Sequence, residues 1–198
     1  GSDLDKLIKA GKSSSVENLS IMTYVCEGLK HCQARGLVSH QDLKPHNIFL
    51  RDIKPDFPGL SDLDIYKIPK IADFGLSNAF KDSGIYGGAR PYMAPEQWEE
   101  TPLSPATDVF ALGILLYELL TEQLPFHKKN ITELFDEITK KPTKSPRAIN
   151  PTIQDTLKKI CIKGVEKEPK IRKQHTHSRA KTNKKYMIND RRNKTTSI

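Results

Sequence analysis

The sequence predicts a mainly α-helical fold with a few short β-strands near one end. Three observations carry this expectation. Leu19, Met22, Cys26 and Leu29 recur at three- and four-residue steps, the period of a helix that buries one stripe. Asp108–Leu120 is apolar nearly all round, as in a helix at the centre of a domain. The strand-like runs, 37–39, 47–50 and 68–72, are short and lie close together in the chain.

Taken in order, Ser2 with Asp5 reads as a capping box opening a short helix, with Leu4, Leu7 and Ile8 on one side and Gly11 closing it. Ser13–Ser15 form a polar linker into the striped helix, which Gly36 ends. The strands at 37–39 and 47–50 flank a polar loop, and 51–67, with Pro55, Pro58 and Gly59, is turn-like. Pro69 confines the strand at 68–72 to a sheet edge, because proline cannot donate to a ladder. The segment 73–105 is rich in Gly and Pro and keeps no period. After the apolar helix, Asn130 with Glu133 opens another through about Lys140. Pro151 stands where the first residue of a further helix would, with Ile153, Leu157, Ile160 and Cys161 as its apolar face and Gly164 at its end.

The 198 residues suit one domain. Hydrophobic residues make up 36%, which is lean, so some stretch is expected to contribute no core. That stretch is 173–198: eight Lys/Arg against one Asp hold nearly all of the formal net charge of +8. It has too little apolar surface to offset the entropy of ordering and is expected to be a disordered basic tail following a domain over 1–172. Aromatic interleaving is missing there apart from Tyr186, which disfavours a nucleic-acid-binding arm. His175 and His177 in that tail make a poor metal site. The longest nearly apolar run, Val109–Leu120, is too short to span a bilayer, and the first residues lack the basic-then-apolar pattern of a signal peptide. Cys26, Cys32 and Cys161 form no C-x-x-C pair and are odd in number, so a disulfide framework or zinc site is not expected. A reducing, cytoplasmic compartment follows, with Cys26 and Cys32 as small buried apolar side chains.

The chemistry gathers in His40-Gln41-Asp42-Leu43-Lys44-Pro45-His46-Asn47 and in Asp73-Phe74-Gly75 after the third strand. Asn47 and Asp73 offer the hard oxygens that Mg²⁺ takes beside substrate phosphates. Lys44 can neutralise charge on a transferring phosphoryl group, and Asp42 can orient an incoming hydroxyl and accept its proton. Such a transfer asks mainly for charges in the right places. His40 reads as a packing histidine that supports the loop, and Asp108 as an N-cap or a brace.

This ordered series resembles the eukaryotic-type protein kinase family over roughly residues 1–172. H-Q-D-L-K-P-H-N resembles its catalytic loop H-R-D-x-K-x-x-N, and Asp73-Phe74-Gly75 its metal-binding D-F-G. Ala94-Pro95-Glu96 is similar to the A-P-E that closes the activation segment, and Asp108-Val109-Phe110-Ala111-Leu112-Gly113 to the helix start whose Asp braces the catalytic loop. Arg172 stands where the family places the partner of the A-P-E glutamate. Lys44-Pro45 resembles the Ser/Thr-specific branch. The resemblance implies ATP and Mg²⁺ as cofactors, a protein substrate with a Ser or Thr acceptor, and Ser77, Ser83 and Tyr86 as candidate phosphosites.

The sequence departs from the family in three places. It holds no G-x-G-x-x-G and no V-A-I-K-like lysine. It therefore looks like the helical C-terminal lobe alone, with the β-rich N-terminal lobe, if present, coming from upstream sequence. Gln41 replaces the arginine that precedes the catalytic aspartate, and Ala89 replaces a threonine hydroxyl that would bond Asp42 and Lys44. The competing expectation is a kinase-derived binding module that transfers nothing.

Overall fold

The computed structural model describes residues 2–11, 13–52, 67–74 and 90–173. Ser77, Ser83, Tyr86, Ala89 and the tail beyond Lys173, with His175 and His177, lie outside the described residues. Helices dominate: α1 (Leu4–Ala10), α2 (Ser15–Gln33), α3 (Pro95–Trp98), α4 (Pro105–Thr121), α5 (Ile131–Thr139), α6 (Asp155–Gly164) and α7 (Pro169–Lys173). Three strands, β1 (Ser2–Asp3), β2 (Ile48–Asp52) and β3 (Lys67–Ile71), form an antiparallel sheet in the order β1-β2-β3.

Local chemistry accounts for the helix ends. Ser14 caps α2 by accepting from the Glu17 N–H at 3.1 Å. Ser104 caps α4 with Pro105 as first residue, while Thr107 Oγ1 accepts the Ser104 N–H at 3.2 Å. Asn130 caps α5. Gly11 closes α1 at φ 58°, where a side chain would be strained. The α1 cap itself is Asp3, not Ser2: the Asp3 carboxylate accepts the Lys6 N–H at 2.9 Å, and Ser2 pairs with Leu50 in β1.

The central helix α4 is buried along almost its whole length. Phe110, Ile114, Leu115 and Tyr117 meet Ile21 and Val25 of α2, Leu4 of α1, and Cys161 of α6 in one core. Gly113 permits the tightest approach: a Cβ there would lie 2.8 Å from the Gly164 backbone. Leu19, Ile153 and Leu157 form a smaller cluster that rests on Leu120. Among the described residues, no helix is long and apolar enough to cross a membrane.

Three further expectations needed correction. Residues 37–39 form no strand: the segment has no ladder partner, and Ser39 and His40 bond the Asp108 carboxylate instead. Pro151 does not begin a helix, because Asn150 Oδ1 takes the Thr152 N–H at 3.1 Å in a local turn and α6 starts only at Asp155. Cys26 and Cys32 are half-buried, since α2 turns them to the edge of its apolar stripe, whereas Cys161 is sealed in the core. Pro69 does lie on an edge strand, opposite Leu50.

Candidate active site

The loop between α2 and β2 is held from below by α4. Asp108, buried in the first turn of α4, accepts the Ser39 hydroxyl at 2.8 Å and the N–H groups of His40 at 2.8 Å and Gln41 at 3.3 Å. Burial pushes its carboxyl pKa up, and these donors pull it back. The bracing lets Gln41 sit at φ 73°, a left-handed conformation that costs a residue with a Cβ about 1–2 kcal/mol.

His40 links this loop to the strand that follows. It is fully buried, with Nε2 2.9 Å from the Ala72 carbonyl and its ring tilted against Phe74 at a centroid distance of 4.5 Å. Its Nδ1 accepts the Asp42 N–H at 3.4 Å, so the proton belongs on Nε2, which donates to Ala72. Burial lowers its pKa below 6.5, against the pull of the Ala72 carbonyl and of Asp108, Asp42 and Asp73.

Above this base, one carboxylate is shared unequally. Lys44 Nζ donates to Asp42 Oδ2 at 2.8 Å, and Asn47 Nδ2 donates to the same oxygen at 2.9 Å and to the Asp42 carbonyl at 2.8 Å. Asp42 Oδ1 takes no hydrogen bond from the described residues. The Asp42 and Lys44 side chains are 19% and 23% exposed, while Asn47 is buried. Asp73 comes beside them through Ala72, whose N–H donates to the Asn47 carbonyl at 2.9 Å and whose own carbonyl meets His40. Asp73 itself is exposed, at φ 61°.

The donor chemistry fits a hard divalent cation. Asn47 gives its amide N–H₂ to Asp42, which leaves its carboxamide oxygen as the atom able to ligate, and Asp73, the residue after the Ala72 bonded to Asn47, adds an exposed carboxylate. Among the described residues no cluster of three His, Cys, Asp or Glu makes a closed metal cage. One or two protein oxygens completed by phosphate and water is the usual arrangement for Mg²⁺.

Glu96 and Arg172 lie apart from this loop, in the core. Arg172 Nη2 donates to Glu96 Oε1, which also accepts from the Thr107 hydroxyl at 3.0 Å. Arg172 Nη1 donates to the carbonyls of Glu166 at 2.6 Å and Lys167 at 3.0 Å, and its guanidinium lies over Phe110. Among the described residues Glu96 Oε2 and Arg172 Nε have no partner, so the pair meets through one oxygen rather than as a fork.

Two features of the site escaped the sequence. Tyr92 donates to Glu118 Oε2 at 2.6 Å, and burial raises the pKa of both groups. Gln97 accepts the Ala94 N–H at 3.0 Å and donates to the Gln41 carbonyl at 2.8 Å. Its place three residues after Ala94 signals half a capping box; nothing in the sequence signals the second bond.

A helical body that carries an Asp-Lys-Asn loop beside an Asp-Phe turn is the arrangement the sequence resemblance implied. The protein kinase domain model matches residues 1–184. The chain belongs to the protein kinase domain family. It is 33% identical to the serine/threonine-protein kinase Pkn1 of Myxococcus xanthus over 154 residues, which is 78% of this chain and 22% of that protein. A probable serine/threonine-protein kinase of Clostridium acetobutylicum is 29% identical over 89% of this chain and 26% of its own length. The serine/threonine-protein kinase PrkC of Bacillus subtilis is 28% identical over 77% of this chain and 22% of its own. The chain thus spans about a quarter of the length of these relatives.

Proposed function

We propose that this chain is the catalytic lobe of a serine/threonine protein kinase, transferring the γ-phosphate of ATP to a Ser or Thr hydroxyl of a protein. The observation that carries the proposal is the divided Asp42 carboxylate. Lys44 and Asn47 fix Oδ2, and Oδ1, which takes no bond from the described residues, is left for an incoming hydroxyl. Asp42 orients that hydroxyl and accepts its proton as the oxygen bonds to the γ-phosphorus and the bond to the β-phosphate oxygen breaks. Lys44 then has a second task, to steady negative charge on the phosphoryl group in flight. Mg²⁺, when bound, neutralises phosphate charge, and the Asn47 carboxamide oxygen and the Asp73 carboxylate would hold it.

No G-x-G-x-x-G occurs in the sequence, so the other wall of the nucleotide cleft is proposed to come from upstream residues. Taken by itself, this chain is then expected to bind nucleotide weakly. The outer sheet face beside Asp73, with Phe49 49% exposed and Arg51, Ile68 and Lys70 on the same side, is a surface such a lobe could cover. The low cysteine content suits a cytoplasmic protein.

The test is radiolabel transfer from γ-labelled ATP to a protein substrate, measured with the natural upstream sequence attached. Asp42→Asn should abolish transfer while the fold melts within a few degrees of wild type. If Asp42→Asn transfers at the wild-type rate, the proposal fails. If wild type transfers nothing yet captures partner proteins, the chain is a binding module. A melting shift with Mg-ATP for this chain alone, lost in Asp73→Ala, would overturn the expectation of weak binding; saturation at a hundredfold excess over Kd would add about 2.7 kcal/mol.

A further inference from the structure

The peptide unit between Gln41 and Asp42 is gripped at both ends by side chains from other parts of the fold. Its N–H, on Asp42, is taken by His40 Nδ1 at 3.4 Å. Its carbonyl, on Gln41, accepts from Gln97 Nε2 at 2.8 Å. The Gln97 amide cannot be turned over: its oxygen already accepts the Ala94 N–H at 3.0 Å, so a flip would break both bonds. Gln97 therefore does more than cap α3. It ties the helix that follows Ala94-Pro95-Glu96 to the backbone immediately before Asp42, across 56 residues of chain.

The tie acts on a strained point. Gln41 stands at φ 73°, which a residue with a Cβ leaves unless its neighbours hold it. Asp108 holds the Gln41 N–H from α4, at 3.3 Å, and Gln97 holds the carbonyl from α3. Release of the carbonyl lets this peptide plane rotate, and rotation carries the Asp42 carboxylate away from the place that Lys44 and Asn47 define.

We propose that Gln97 is a positioning residue for phosphoryl transfer, fixing the Gln41–Asp42 peptide and through it the direction of the Asp42 carboxylate. The proposal rests on the kinase function given above for Asp42. It also makes the segment that ends in α3 a partner in catalysis: when Pro95–Trp98 shifts, Asp42 shifts with it.

Gln97→Glu separates the two bonds. A carboxylate still accepts the Ala94 N–H but cannot donate to Gln41, whereas Gln97→Met keeps the length and loses both. In this chain, amide hydrogen exchange at Gln41 and Asp42 should quicken about tenfold or more in Gln97→Glu, with the amides at the centre of α4 unchanged. With the natural upstream sequence attached, kcat should fall about tenfold or more while KM for ATP stays within about twofold, the mark of misplaced chemistry rather than lost binding. Should Gln97→Glu fold poorly, Gln97→Met is read in the same two ways. Unchanged exchange at Gln41 and Asp42, or an unchanged kcat, overturns the proposal. If wild type transfers no phosphate in any form, the kinase function itself falls, and the exchange result still decides whether Gln97 holds the loop.

Discussion

Two acid–base pairs in this molecule use the same chemistry for opposite ends. Glu96 and Arg172 are 4% and 0% exposed, and they join α3 to α7 deep in the core. Asp42 and Lys44 are 19% and 23% exposed, on a loop that solvent reaches. The first pair is surrounded by fixed partners, the Thr107 hydroxyl and the carbonyls of Glu166 and Lys167. The second leaves one carboxylate oxygen without any among the described residues. A sealed pair makes its worth felt when one member is lost, because the other is stranded out of water. A half-open pair adds little to stability, and in the function proposed above its uncommitted oxygen is the atom that reacts.

Double-mutant cycles on the two pairs would break this comparison most directly. Arg172→Met should cost about 3–5 kcal/mol by stranding the Glu96 carboxylate. At about 2–4 °C per kcal/mol for a chain of this size, the melting temperature should drop by roughly 10 °C. Adding Glu96→Gln should recover part of that loss, since no charge is then left buried. Lys44→Ala should cost less than about 1 kcal/mol. Chemical denaturation of Arg172→Met, Glu96→Gln, Lys44→Ala and Asp42→Asn, with the double variant of each pair, reads out both coupling energies. Coupling as strong at Asp42–Lys44 as at Glu96–Arg172 would erase the distinction.

A middle-sized effect tests the frame that carries both pairs. Gly113 lets α4 lie against Gly164, where an added Cβ would approach the backbone to 2.8 Å and Val165 Cγ1 to 2.8 Å. Backbone cannot move aside as a side-chain tip can, so Gly113→Ala should destabilise by about 1–3 kcal/mol through overpacking, despite alanine's better helix propensity. Thermal melting that rises in this variant would mean α4 and α6 have room to separate. Since α7 and Arg172 follow α6, the same variant should loosen the buried pair before it touches the loop.

Much of this was legible in the sequence where one residue type answers to one local need. Asn130 announced a helix start because a side-chain oxygen must meet orphaned N–H groups, whereas Ser14, inside the polar linker, and Ser104, inside the stretch without a period, prove to be caps only in the structure. The apolar run 108–120 announced the central helix, and Pro69 announced an edge strand. Asp42, Lys44 and Asn47 were legible as a group because they share one loop, and the structure brings them within hydrogen-bond distance. The illegible parts depend on contacts between distant segments. Leu37–Ser39 has the composition of a strand but meets a carboxylate in place of a ladder. Gln97 has nothing in its local sequence that points to Gln41, and Tyr92 nothing that points to Glu118. Tertiary approach decides such residues, and spacing alone cannot encode it.

The smallest expected effect concerns His40, which lies between the two regimes: buried like Arg172, yet part of the loop that carries Asp42. Its folded pKa lies below the unfolded value of about 6.5, with burial as the main cause and Asp42, Asp73 and Asp108 opposing. Between the folded pKa and 6.5 the unfolded chain therefore binds more protons than the native one, and stability rises with pH. The contribution is complete above about 6.5 and is lost as pH falls through the folded pKa. Protonation would also place a hydrogen on Nδ1, the atom that accepts the Asp42 N–H, so acid should release the loop as well as weaken the fold. Melting curves between about pH 7.5 and 5.5 should decline with a slope that His40→Asn flattens, and the His40 ring resonance should titrate with a midpoint below 6.5. A midpoint at or above 6.5 would mean that the Ala72 carbonyl and the three carboxylates together outweigh burial, and His40 would then belong electrostatically with the open pair rather than the sealed one.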